Sequence, residues 1–242
     1  MAAESILVVD DVPLNLKLTG ILLQREGFQV HTTPDAEHAL SLLRGFHPDL
    51  MLVDIELPGM DGLTLTRQVK QNPTTRDIVV VAVSGHASDG DNRQALEAGC
   101  DGYLSKPVDP TILVSSIRDY LQHHTRTSKT PPPERHAPAT AAKPVAGAED
   151  LDVETLQRQF LEEGALRCRY MLDSLEHDFD AQKAARLFHQ WVGAAGMLGY
   201  MAISGLAREA ETAVSKGTVD FPRLRDLLSN LIVQFAKPEK TA

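Results

Sequence analysis

The stretch Ile-Leu-Val-Val-Asp-Asp at residues 6–11 decides the fold of the N-terminal half of the chain. Strong apolar runs at 50–53 and 78–83 and weaker ones at 28–31 and 102–104 accompany it. Near-continuous runs that are rich in β-branched residues are typical of strands buried on both faces of a parallel sheet. Because amphipathic segments alternate with these runs, the sequence predicts a doubly wound α/β fold, with a five-stranded parallel sheet and helices on both faces.

Prolines and glycines indicate where the intervening helices begin and end. Pro13, Pro34 and Pro110 fit the first turn of a helix, where a backbone N–H has no partner within the helix in any case. Gly27 and Gly45 fit the position that follows a last helical turn.

Residues 125–149 separate the two halves of the chain. This stretch holds five prolines, and its apolar residues are alanines and one valine. Such a segment buries too little surface to offset the entropy lost when it becomes ordered. We therefore expect an N-terminal domain at 1–124, a linker at 125–149 and a second domain at 150–242.

The second domain contains no strand-like run. Its apolar spacing predicts an all-α helical bundle. Asp180 and Asp220 are the expected N-caps of two of its helices. The five predicted helices lie at about residues 151–163, 165–179, 181–198, 202–216 and 221–236.

Composition argues against several classes of partner and environment. The formal net charge is −9, which is poorly matched to nucleic-acid phosphates. The chain has two cysteines, too few for a disulfide framework, which fits a reducing cytoplasm. The N-terminus lacks the pattern of a signal peptide, and no apolar run approaches the roughly 20 residues that span a bilayer. We expect a cytoplasmic protein that binds no nucleic acid and does not insert into a membrane.

Polar side chains stand where four of the predicted strands end. Asp10 and Asp11 follow the first strand, Asp54 the third, Ser84 the fourth and Lys106 the fifth. Because the carboxyl ends of parallel strands meet at one edge of the sheet, these side chains are expected to lie close together.

This group of residues has the chemistry that phosphoryl transfer requires. Three clustered carboxylates repel one another, and a divalent cation would relieve the repulsion. A set of ligands made only of oxygen favours a hard ion such as Mg²⁺. Lys106 supplies a positive charge and Ser84 a hydroxyl donor for the transferred group. The nucleophile would be a carboxylate at the metal, which indicates Asp54.

Four successive motifs, ILVVDD, LMLVDIELPGMDG, VVVAVSGHA and GYLSKP, resemble those of bacterial two-component response-regulator receiver domains. The resemblance covers about residues 4–124. It implies a flavodoxin-like receiver in which a partner sensor histidine kinase phosphorylates Asp54. It also implies that Mg²⁺ is held by Asp10, Asp11, Asp54 and the backbone carbonyl of Glu56.

The same resemblance assigns roles to the polar residues around Asp54. Ser84 would bond a phosphoryl oxygen, and Lys106 would pair with the phosphoryl group. Ser84 and Tyr103 occupy the positions of a switch that responds to phosphorylation. The peptide bond before Pro107 is expected to be cis.

His189 is the candidate functional residue of the second domain. Gly193 and Gly196 follow it on the same helical stripe, although each glycine inside a helix costs about 1 kcal/mol relative to alanine. They would leave a flat backbone surface beside the imidazole, where another protein could dock. His189 is expected to flank the core and to face solvent.

The segment around His189 resembles histidine phosphotransfer (HPt) domains. Their motif has the form His-x-Leu-Lys-Gly, which His189, Trp191 and Gly193 fit. Val192 stands at the position of the usual lysine, whose charge helps to neutralise the phosphoryl group. Arg186, one turn earlier, is a possible substitute.

Two functions of different classes remain open from the sequence. The first is a phosphorelay component that uses Asp54 and His189, with a sensor kinase and another receiver or phosphotransfer protein as partners. The second is a regulatory protein in which a degenerate bundle docks partners without transferring phosphate. In neither case is the chain a conventional enzyme, because the receiver would catalyse only its own phosphorylation and dephosphorylation.

Overall fold

The computed structural model describes residues 3–85, 89–127, 153–215 and 219–239. The chain divides into two compact units, Met1–Ala148 and Glu149–Ala242. Most of the predicted linker lies outside the described residues. Its first three positions, 125–127, belong instead to the last helix of the first unit.

The first unit is an α/β domain with one parallel sheet, as the sequence predicts. The strands run in the order β2-β1-β3-β4-β5, and every neighbouring pair is parallel. Its elements are β1 (Ser5–Val9), α1 (Pro13–Arg25), β2 (Gln29–Thr33), α2 (Ala36–Leu42), β3 (Leu50–Asp54), α3 (Gly62–Gln71), β4 (Val79–Ser84), α4 (Asp89–Ala98), β5 (Gly102–Ser105) and α5 (Pro110–Thr127).

Burial explains why the strands have near-continuous apolar sequences. All residues of β1, β3 and β4 are buried, because helices cover both faces of the sheet. These three strands occupy the middle of the sheet, whereas β2 and β5 form its edges and include partly exposed positions.

The predicted helix ends are correct at three positions and wrong at two. Pro13 and Pro110 begin α1 and α5, and Gly27 adopts a φ of 93° after α1. Pro34, in contrast, precedes the helix, because Asp35 is the N-cap that accepts a hydrogen bond from the backbone of His38. Gly45 does not adopt a positive φ, and α2 ends earlier, at Leu42.

The second unit consists of helices in the part of the chain that the structure describes. Asp180 and Asp220 are N-caps, as expected, and accept hydrogen bonds from the backbone of Lys183 at 3.0 Å and Arg223 at 3.1 Å. The helices are α6 (Val153–Ser174), α7 (Ala181–Met197), α8 (Met201–Ser215) and α9 (Phe221–Ala236).

The predicted break between two helices near Gly164 is wrong, since α6 passes through this residue without interruption. Gly164 is buried, and a Cβ added to it would lie 2.2 Å from Cε1 of Phe235 on α9. The glycine therefore allows α6 and α9 to approach closely. Phe235 continues into an aromatic cluster, with its ring centroid 5.5 Å from that of Phe160 and 5.1 Å from that of Trp191.

Replacing Gly164 with alanine is expected to destabilise the bundle by about 1–3 kcal/mol, because the added methyl group would overpack the contact with Phe235. Chemical denaturation followed by the fluorescence of Trp191 would measure this loss. Gly205→Ala is the matched control, since a Cβ there meets nothing within 4 Å. In this control the free energy of unfolding should stay the same or rise, as alanine favours helix. Equal stability of the two variants would contradict the packing role of Gly164.

Among the described helices, none combines the length and the hydropathy that crossing a membrane requires.

Candidate phosphoryl-acceptor sites

The ends of four strands meet at one edge of the sheet in the first unit. Strand register pairs Val9 with Val53 and Ser84 with Ser105, so the residues that follow these pairs share that edge. Carboxylate oxygens of Asp10, Asp11 and Asp54 lie within 4.8 Å of one another. Lys106 also reaches this cluster, as the predicted topology requires.

Lys106 is the cation that balances the buried carboxylates. Its Nζ lies 2.5 Å from Oδ2 of Asp54 and 3.4 Å from Oδ2 of Asp10. Lys106 and Asp54 are 3% and 1% exposed, so water screens this interaction weakly. A charge-assisted hydrogen bond thus holds the Asp54 carboxylate beside a fixed positive charge.

Burial and neighbouring charges shift the acid–base properties of the site. Burial raises the pKa of the Asp10 carboxyl to about 6, although the Lys106 cation opposes the shift. Burial alone would lower the pKa of Lys106, but the charges of Asp54 and Asp10 outweigh it and raise the pKa above its ordinary value. Lys106 therefore stays protonated, whereas the Asp10 carboxyl holds a proton more readily than an exposed aspartate does, because its pKa is raised.

The start of α3 packs directly against the end of β3. Oδ1 of Asp54 accepts a hydrogen bond from the backbone N–H of Glu56 at 3.0 Å. The backbone N–H of Gly62 donates to the carbonyl of Ile55 at 3.0 Å. A Cβ on Gly62 would lie 2.1 Å from the carbonyl oxygen of Asp54. The absence of a side chain at Gly62 thus allows this loop to close around Asp54.

The two expected switch residues lie on neighbouring strands beside this edge. Ser84 is 3% exposed at the end of β4, and Tyr103 is half-buried on β5 and packs against the apolar core. The Lys106–Pro107 peptide bond is cis, as the resemblance implies.

Asn15 belongs to the site, although the sequence reasoning missed it. It lies in the first turn of α1 and is 4% exposed. Its Nδ2 lies 3.2 Å from Oδ1 and 3.1 Å from Oδ2 of Asp10. The sequence does contain a signal for Asn15, because it precedes Leu18 and Thr19 by three and four residues and so shares the buried face of α1 with them. A buried amide needs a polar hydrogen-bond partner.

His189 lies on α7 and pairs with Glu211 on α8. Its Nδ1 is 3.0 Å from Oε1 of Glu211. The hydrogen bond favours the tautomer in which Nδ1 carries the proton and Nε2 the lone pair. The expectation that His189 faces solvent is wrong, because the residue is only 9% exposed. Glu211 was also missed, since no local pattern connects two residues on different helices.

Val192 forms part of the packed interior of the second unit and is fully buried. Its backbone carbonyl accepts a hydrogen bond from the hydroxyl of Ser204 on α8 at 2.7 Å. A lysine at this position would therefore meet packed side chains. Arg186, the possible substitute, is exposed on the turn before His189.

Comparisons with known proteins agree with this geometry. Residues 6–118 match the family model of the response regulator receiver domain, and residues 155–235 match that of the Hpt domain. The polar-differentiation response regulator DivK of Brucella ovis is 37% identical over 118 residues, which cover 49% of this chain and 96% of that protein. The response regulator PleD of Caulobacter vibrioides is 41% identical over 113 residues, which cover 47% of this chain and 25% of PleD.

A solved structure shows the same receiver fold. The CheY-like receiver domain protein from Methanospirillum hungatei JF-1 is 30% identical, with a TM-score of 0.50, and the match covers 52% of this chain and all of that one. A receiver and an Hpt domain in one chain indicate two-component phosphorelay signalling. The N-terminal half of this chain matches nearly the whole length of a response regulator. The chain therefore belongs to the response regulators and carries an Hpt domain after its receiver domain.

Proposed function

We propose that a partner sensor histidine kinase phosphorylates Asp54 in a Mg²⁺-dependent reaction and that His189 is a second phosphoryl carrier in the same relay. The observation that carries the proposal is the placement of Asp54, a buried carboxylate held 2.5 Å from the Lys106 ammonium and beside two further aspartates. An ordinary structural ion pair has no need of the additional carboxylates, which repel one another.

The reaction at Asp54 is a transfer from phosphohistidine to a carboxylate. A carboxylate oxygen of Asp54 forms a bond to phosphorus while the bond from phosphorus to the donor imidazole nitrogen breaks. The nitrogen keeps the electron pair and takes up a proton. Lys106 stays beside the transferred group and neutralises its charge, and the Ser84 hydroxyl donates to one of its oxygens.

The donor set of the acidic cluster fits a hard divalent cation. Asp10, Asp11 and Asp54 offer carboxylate oxygens within 4.8 Å of one another, and the backbone carbonyl of Glu56 would complete the protein ligands. Mg²⁺ would supply positive charge for both the carboxylates and the phosphoryl oxygens. We expect this chemistry to take place in the cytoplasm and to be limited to phosphorylation and dephosphorylation of the receiver itself.

Transfer at the second unit depends on the pairing of His189 with Glu211. The carboxylate holds the Nδ1 proton, so that Nε2 is the nitrogen that attacks phosphorus. As Nε2 forms its bond, the imidazole becomes positively charged, and Glu211 stabilises this charge. The phosphoryl donor in this step is an aspartyl-phosphate, either of this receiver or of another. The bond between its phosphorus and its carboxylate oxygen breaks, and the carboxylate leaves with the electron pair.

A second candidate function is favoured by two observations on α7. Val192 replaces the usual lysine and is fully buried, and His189 is only 9% exposed. A bundle that docks partners without accepting phosphate would have no need of a nearby cation or an open imidazole. In that case, phosphorylation of Asp54 alone would regulate the binding of another protein.

Phosphorylation of the full chain by a histidine kinase with Mg²⁺ separates these functions. We expect base-labile label at Asp54 in the wild type and none in Asp54→Asn. We also expect acid-labile label at His189 and none in His189→Gln. His189 should be tested with its own receiver and with other phosphorylated receivers. If Asp54→Asn gains acyl phosphate as the wild type does, the proposal fails, and if no donor labels His189, the docking function replaces the relay.

A further inference from the structure

Three groups surround the carboxylate of Asp10 and fix its orientation. The backbone N–H of Val12 donates to Oδ1 at 2.9 Å, and Nδ2 of Asn15 lies 3.2 Å from Oδ1 and 3.1 Å from Oδ2. The Lys106 ammonium lies 3.4 Å from Oδ2. Lys106 is shared with Asp54, so Asn15 is the side chain that is dedicated to Asp10.

The burial of Asn15 calls for a reason other than packing. The residue is 4% exposed, and its Oδ1 is buried with no hydrogen-bond partner among the described residues. A buried amide oxygen without a hydrogen bond destabilises a fold, whereas leucine, of similar size, would avoid this penalty. The amide must present its nitrogen to Asp10, because its oxygen would face another acceptor there.

We propose that Asn15 is a positioning residue that holds the Asp10 carboxylate in the orientation that binds the divalent cation. The inference rests on the Mg²⁺ site proposed above. Its Nδ2 spans both oxygens of Asp10, which fixes the plane of the carboxylate. Val12 and Lys106 each contact a single oxygen, so neither of them by itself fixes the rotation of the carboxylate about its Cβ–Cγ bond. Partners that orient a metal ligand in this way change metal affinity by about 10- to 100-fold when they are removed.

Asn15→Leu in the full chain tests this role because it removes the amide and keeps the volume of the side chain. The dissociation constant of Mg²⁺, measured by titration calorimetry, is expected to rise at least about tenfold. The stability of the metal-free protein in urea should stay equal or increase. Thr19→Val is the matched control, since Thr19 is also buried on α1, one turn further along, and the Mg²⁺ affinity of this variant should equal that of the wild type.

The outcomes distinguish this inference from the proposed metal site. If Asn15→Leu binds Mg²⁺ as tightly as the wild type, Asn15 has only a structural role and the inference is overturned. If the wild type itself binds no Mg²⁺, or binds it as well after Asp10→Asn, then the proposed metal site fails instead. Should the leucine variant fail to fold, Asn15→Ala gives the same test, with the same expected rise and the same overturning result.

Discussion

Replacing Gly62 with alanine is expected to destabilise the receiver domain by about 3 kcal/mol and to slow phosphorylation of Asp54 about 100-fold. The new Cβ would lie 2.1 Å from the carbonyl oxygen of Asp54 and 2.9 Å from Cγ1 of Val53. Both atoms belong to β3, which is buried in the middle of the sheet and cannot move aside without disturbing its neighbours. The start of α3 would have to shift instead, and the loop that joins it to β3 would shift with it, which would disturb the hydrogen bond from the Glu56 N–H to Oδ1 of Asp54.

Two measurements on one preparation check this prediction. Urea denaturation gives the loss of stability, and labelling with a small-molecule phosphoryl donor at saturating Mg²⁺ gives the rate at Asp54. Gly45→Ala is the control in the same domain, because a Cβ there meets nothing within 4 Å and its φ is not positive. We expect that variant to stay within about 0.5 kcal/mol of the wild type. A Gly62→Ala protein with wild-type stability and rate would show that this contact does not constrain the site.

Replacing Lys106 with methionine is expected to lower the rate of Asp54 phosphorylation by about 100- to 1000-fold. Methionine keeps much of the length of the side chain but removes the charge that lies 2.5 Å from Asp54. The negative charge that develops on the transferred group would then lose its fixed cation in a buried site, where charges interact strongly. Excess Mg²⁺ should not restore the rate, since the ammonium of Lys106 is a fixed charge of its own beside Asp54.

Lys70→Met is the matched control for the loss of an ion pair. Lys70 lies at the opposite end of the sheet, where its Nζ contacts Asp101 at 2.6 Å and the carbonyl of Ile78 at 2.8 Å. This variant should lose stability and keep the rate at Asp54. Labelling of both variants over the same time course, with the unfolded fraction measured in parallel, separates the two effects. A Lys106→Met rate within tenfold of the wild type would rule out a direct role for the ammonium.

The sheet and the grouping of polar side chains at its edge could be predicted because both depend on short-range pattern and on topology. The apolar runs of β1, β3 and β4 are unambiguous, and parallel connections bring their carboxyl ends to one edge whatever the details of packing. Asp10, Asp54 and Lys106 were therefore found from residue type and position alone. The roles proposed for these residues still await the experiments above.

The errors at Pro34 and Gly45 concern local helix ends, whereas the other errors concern contacts that a residue makes outside its own helix. Gly164 has the appearance of a helix stop, but its partner, Phe235, lies on another helix. Asn15 and Glu211 were missed because each matters through a hydrogen bond to a side chain outside its own helix, Asp10 for Asn15 and His189 for Glu211. The exposure of His189 was misjudged for the same reason, as an amphipathic pattern describes one helix and not what covers it.

The order of the strands has a consequence for how signalling pathways stay separate. Asp10, Asp54 and Lys106 come from β1, β3 and β5 or their ends, so no short peptide around Asp54 contains all the side chains of the proposed site. In the proposed reaction, a kinase would consequently have to recognise a folded edge rather than a linear motif. A substitution on the rim of that edge would change which protein docks there and leave the side chains beneath it in place. A cell can thus run many such pathways side by side, with the same reaction and different surfaces.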